Sequence, residues 1–86
     1  MKKILFYDNK NIISKSLKLS RIEKNMTQGA LAAKMQTMGV NIDQQMISRI
    51  ESNDRFVTDY ELVCFCKALG VSIQDIIKDS PEFREN

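Results

Sequence analysis

Gln44, Gln45 and Arg49 are the residues here best suited to a specific chemistry, and that chemistry is recognition. A Gln side chain holds a carbonyl and an amide in one plane, so it can accept from and donate to an adenine edge at once. Arg49 lies one helical turn beyond Gln45 and suits a guanine or a phosphate. Bond-making chemistry is poorly served. There is no His among the 86 residues, which removes imidazole acid–base catalysis and imidazole metal ligands. Two Cys cannot complete a structural zinc site, and no nucleophile–base pair stands out. No enzymatic activity, metal or cofactor is expected.

For Gln44, Gln45 and Arg49 to act together they must share the outer face of a helix whose inner face is apolar. Ile47 and Ile50, three apart, supply that inner stripe, and Asp43 suits the N-cap. Gln44, Gln45, Met46, Ser48 and Arg49 then face elsewhere. The preceding segment reads as a helix from Thr27, an N-cap, through Leu31, Ala32, Met35 and Met38 to Gly39. Val40 after Gly39 completes a Schellman-like stop. Only Gly39, Val40, Asn41 and Ile42 separate the two helices, so they form a helix-turn-helix candidate, with Gln44 and Gln45 in the turn that enters a major groove.

The rest of the chain reads as support. Apolar and small residues at 12, 13, 16, 17 and 20 describe a first helix running from Asn11 to about Lys24, with Asn25 as a left-handed stop. Asn53 suits the same role after the third helix. Thr58 and Glu61 form a capping box for a fourth helix that buries Leu62, Phe65, Cys66 and Leu69 before Gly70. Ser72 caps a fifth with Ile73, Ile76 and Ile77, which Ser80-Pro81 ends. Residues 1–10, with the apolar run Ile4-Leu5-Phe6-Tyr7, read as an N-terminal arm or short strand. Residues 11–79 read as one helical domain and 80–86 as a tail.

Composition agrees. The chain is 43% hydrophobic and 28% charged, as in an ordinary globular domain, and its three Gly and one Pro leave few turns, which favours helices over a sandwich of strands. No apolar run approaches a membrane span or a signal-peptide core, so a cytoplasmic protein is expected, with Cys64 and Cys66 as reduced thiols. Net charge is uneven. Residues 1–55 carry ten Lys and Arg against five Asp and Glu, a balance of +5, and residues 56–86 carry three against six, or −3, giving the overall +2. A basic part and an acidic part suggest one face for a polyanion.

The ordered set Thr27-Gln28, Leu31-Ala32, Met38-Gly39-Val40, Ile47-Ser48-Arg49-Ile50-Glu51 and Ala68-Leu69-Gly70-Val71-Ser72 resembles the XRE family of phage-repressor-like helix-turn-helix regulators. The resemblance covers about residues 11–78. It implies an all-α, five-helix, lambda-repressor-like fold that binds double-stranded DNA. It places Gln28 on a DNA phosphate, Gln44, Gln45 and Met46 at base-reading positions flanked by Ser48 and Arg49, and Arg55 near the DNA backbone. It also implies a buried ion pair between Arg21 and Glu51. The sequence departs from the family pattern in a longer stretch from Leu31 to Ile47, in Asn53 where Gly is usual, and in Ser20 where a core Leu is usual.

The expected function is a transcriptional regulator, of repressor type, acting as a homodimer. The dimer surface is expected on helix five, with the arm as a second contact. An antitoxin-like module that binds a toxin protein is the alternative.

Overall fold

A computed structural model describes residues 5–77. Met1 to Ile4, the Ser80-Pro81 stop and the 80–86 tail lie outside the described residues. Within them the chain forms α1 (Ser14–Glu23), α2 (Gln28–Thr37), α3 (Gln44–Glu51), α4 (Asp59–Leu69) and α5 (Ile73–Ile77).

The first four helices stop in the same way. Each is followed by a residue with positive φ, namely Asn25, Gly39, Asn53 and Gly70. The next N–H then reaches back to a carbonyl of the last turn: Met26 to Arg21, Val40 to Met35, Asp54 to Arg49 and Val71 to Cys66. This is the Schellman arrangement, and it satisfies carbonyls that a helix end would otherwise leave open. The starts of α2 to α5 are capped by side chains that the sequence exposes. Thr27 accepts from the Ala30 N–H, Asp43 from Met46 and Thr58 from Glu61, and Ser72 Oγ accepts from Asp75.

The start of α1 differs from the sequence expectation. The helix begins at Ser14, not at Asn11, because Asn11 is spent elsewhere. Its Oδ1 accepts from the Ile13 N–H, while its Nδ2 donates to the carbonyls of Ile50 and Arg55 at 3.0 Å each. It therefore fastens the approach to α1 onto the end of α3.

The core is one cluster. Leu17 of α1, Leu31 and Met35 of α2, Ile47 and Ile50 of α3, Phe65 and Leu69 of α4 and Ile76 of α5 are almost fully buried. Each such side chain contributes roughly 1.5–3 kcal/mol through burial. α3 packs on α1 and α2, and α4 and α5 close the other side. Val40 and Ile42, read from sequence as turn residues, are also buried, Ile42 completely. The turn before α3 is therefore part of the core, which holds the start of α3 in place. Leu62 is only half-buried, whereas Glu61 is buried, with Arg55 and the Thr58 N–H as its hydrogen-bond partners.

Candidate nucleic-acid interface

α3 is fixed from three sides. Ile47 and Ile50 anchor its inner face. Asp43 Oδ1 holds its first turn by accepting from the Met46 N–H at 2.8 Å. The preceding turn is tied back to α2, since Gln36 Nε2 donates to the Ile42 carbonyl at 2.9 Å. Gln36 was not singled out by sequence, because its partner is a backbone carbonyl and leaves no pattern.

The outer face of α3 is left free by this docking. Gln44, Gln45 and Arg49 are exposed, and Met46 and Ser48 lie half-buried at its margins. The side chains of Gln44 and Gln45 spend no hydrogen bond on the described residues. Gln44 leans towards the start of α2: a Cβ placed on Gly29 would stand 3.9 Å from its Oε1. Gln28, next to Gly29, donates from Nε2 to Glu51 Oε1 at 3.0 Å. An amide nitrogen carries two hydrogens, so one remains for another acceptor. The first turns of α2 and α3 thus bring Gln28 and Gln44 together, and Gln45 follows Gln44 as an exposed residue of the same turn.

Glu51 is the hub beneath that surface. Its Oε2 accepts from Arg21 Nε at 2.7 Å and its Oε1 from Arg21 Nη2 at 3.0 Å. Arg21 Nη1 completes the link by donating to the Met26 carbonyl at 2.8 Å. The Arg21 and Glu51 side chains are 11% and 4% exposed. The hydrogen bond from Arg21 to Glu51 is the main cause that holds the guanidinium even more firmly protonated than usual, against the effect of burial. This bridge joins α1 to α3, and Gln28 adds α2.

Arg55 is turned inward. Its Nη1 and Nη2 donate to the two oxygens of Glu61 at 3.0 Å each, and Nη1 also donates to the Phe56 carbonyl. Glu61 Oε1 accepts from the Thr58 N–H as well, completing the capping box of α4. Burial alone would raise the Glu61 carboxyl. The hydrogen bonds from Arg55 and Thr58 outweigh it and hold the group below the usual carboxylate range. The residue that the family resemblance set beside the DNA backbone pins the start of α4. The sequence showed the Thr58–Glu61 box but not this second use of Glu61.

At the far end of α3, Arg49 lies against Asp54. Its Nε is 3.7 Å from Asp54 Oδ2, and its Nη2 donates to the Asp54 carbonyl at 3.3 Å.

Two helices joined by a buried turn, the second presenting free amide side chains from its first turns, define a helix-turn-helix domain. The helix-turn-helix family model HTH_3 matches residues 17–76, and the chain belongs to this XRE-type, lambda-repressor-like family. The five-helix architecture is that of the family, whose business is DNA binding. No curated protein and no solved structure matches the chain significantly. No described helix is long and apolar enough to cross a membrane.

Proposed function

We propose that the protein is a sequence-specific repressor that places α3 in the major groove of operator DNA. The observation that carries this is the unspent outer face of a rigidly docked helix: Gln44 and Gln45 are exposed in the first turn while Ile47 and Ile50 are fully buried. Gln44 and Gln45 read base edges. Met46 gives an apolar contact of the kind a thymine methyl accepts, and Ser48 borders it. Gln28 offers its second amide hydrogen to a phosphate, and Arg49 adds positive charge beside the backbone, while Arg55, its charge matched by Glu61, has only its remaining N–H groups to offer there.

The repressor acts as a homodimer in the cytoplasm. One small module rarely supplies the affinity of about 10⁻⁸–10⁻¹¹ M that specific regulators show, and two half-sites one helical turn apart remedy that. The surface favoured for pairing is α5. Ile76 is fully buried and belongs to the core, so the residue that offers apolar surface there is Ile73, 43% exposed.

Selection of binding sites from random duplex DNA with the purified protein tests the reading. A repeated motif arranged as two half-sites about one turn apart is the expected result. An unenriched pool contradicts sequence-specific binding. Light scattering tests the pairing: Ile73→Glu turns a dimeric parent into monomers if α5 is the interface and leaves the dimer intact if it is not.

A further inference from the structure

Asn53 stands where the family usually has Gly, and its side chain has a task that Gly could not perform. Its φ of 58° supplies the left-handed turn after α3. Its Oδ1 accepts from the N–H groups of Lys10 (3.0 Å) and Asn11 (3.1 Å), and its Nδ2 donates to Asn9 Oδ1 at 2.6 Å. The chain just ahead is itself a closed turn. Phe6 and Asn9 exchange backbone hydrogen bonds of 3.1 and 2.8 Å, with Tyr7 and Asp8 both at positive φ, as in a type I′ turn. The segment before α1 is therefore clipped to the end of the groove-facing helix.

The clip fixes where Lys10 stands. Its Nζ lies 3.0 Å from Asp54 Oδ1, while Asp54 Oδ2 faces Arg49 Nε at 3.7 Å. One exposed carboxylate thus collects two exposed cations from chain positions 39 residues apart. The hydrogen bond and charge of Lys10, then the charge of Arg49, hold the Asp54 carboxyl below its ordinary range, so it stays charged. A phosphodiester presents the same features to a pair of cations: two terminal oxygens sharing one negative charge. Surface ion pairs of this exposure add little to stability, so exchanging one anion for another costs the fold little.

We propose that Lys10 and Arg49 together bind a backbone phosphate of duplex DNA at the C-terminal end of α3, with Asn53 positioning Lys10 and Asp54 occupying the phosphate's place in the free protein. This rests on the reading of α3 as the groove helix. Arg49 supplies the link between the two sites, since it follows Gln45 by one turn on the same exposed face. The segment before α1 is then a built part of the binding surface.

The test is fluorescence anisotropy of the full chain on the selected duplex and on an unrelated one, across a salt series, with circular dichroism confirming the fold of each variant. Losing one phosphate contact lowers the slope of log K against log salt by about 0.9. Lys10→Ala should therefore lose about 3.5-fold less affinity than the parent between 50 and 200 mM salt, and Lys10→Arg should restore the parental slope. Asn53→Gly keeps the left-handed turn but removes the clip, and should reproduce the slope of Lys10→Ala. Asp54→Asn should tighten binding to both duplexes alike. A parental slope in Lys10→Ala, in a protein that binds DNA, overturns the proposal. A parental slope in Asn53→Gly alone overturns the positioning role of Asn53. A parent that binds neither duplex at low salt defeats the reading of α3 itself, and this site with it.

Discussion

Arg21→Ala should come close to unfolding the protein. Arg21 makes three hydrogen bonds, two to Glu51 and one to the Met26 carbonyl. Its removal leaves a carboxylate that is 4% exposed with only the Gln28 amide as a side-chain donor. Breaking a buried pair by removing one partner costs roughly 3–5 kcal/mol, because the remaining charge is stranded away from water. At roughly 0.05–0.15 kcal/mol per residue, a chain of 86 residues has about 4–13 kcal/mol in total. The loss therefore takes about a quarter of the stability at the least and exceeds all of it at the most. For a domain of this size each kcal/mol moves the melting temperature by about 4–8 °C, so the variant should melt at least about 12 °C below the parent. Thermal and urea melts followed by circular dichroism measure it. The double variant Arg21→Met/Glu51→Leu removes both charges and should recover most of the loss, since an apolar pair of similar volume is often neutral or better. A drop of less than about 4 °C for Arg21→Ala, or a double variant no better than the single one, would refute the claim that an unpaired Glu51 is the cause.

Three further outcomes are expected. Gln44→Ala and Gln45→Ala should each cost about 1–3 kcal/mol of discrimination at one base step while leaving the melting temperature almost unchanged, read by repeating the site selection and the melt. Glu61 has its pKa lowered in the folded state, so its stabilising effect is complete above the unfolded carboxylate value of about 4.3 and fades as pH falls through the lower folded value; urea midpoints from pH 7 to pH 3 should show this loss in the parent and a shallower one in Glu61→Gln. Gly29→Ala should stabilise by about 0.4–1 kcal/mol, because the new methyl meets nothing closer than 3.9 Å, whereas Gly39→Ala should destabilise by about 1–2 kcal/mol, since φ there is +84°; urea melts of the two variants separate these signs.

What the sequence revealed follows the range of each interaction. Thr27, Asp43, Thr58 and Ser72 were legible as caps because a cap and its N–H lie three residues apart. Asn25, Gly39, Asn53 and Gly70 were legible as stops because only a few residue types accept a left-handed turn. The stripe of Ile47 and Ile50 fixed which face of α3 stays outside, and with it the positions of Gln44, Gln45 and Arg49. Long-range polar links were not legible from spacing. The Arg21–Glu51 pair came from family resemblance. The Arg55–Glu61 pair depends on the course of the short loop from Arg55 to Thr58, which no periodicity encodes. Asn53 and Asn11 each bind groups more than 35 residues away, and for that reason Asn11 looked like the opening of α1 when it is the fastener in front of it. Val40 and Ile42 sat in a segment too short to show a period, so their burial emerges only from the fold.

For α3 to be the groove helix, its outer face, beginning at Gln44 and Gln45, must lie against bases. The most direct test is a two-dimensional NMR titration of the isotope-labelled protein with the selected duplex, following backbone amides together with the side-chain NH₂ groups of Gln28, Gln44 and Gln45. The largest shifts should fall on the first turns of α2 and α3 and on these three side chains, with little change in α4. Saturable binding that leaves the Gln44 and Gln45 side-chain signals in place, with the shifts gathered on another surface, would contradict this.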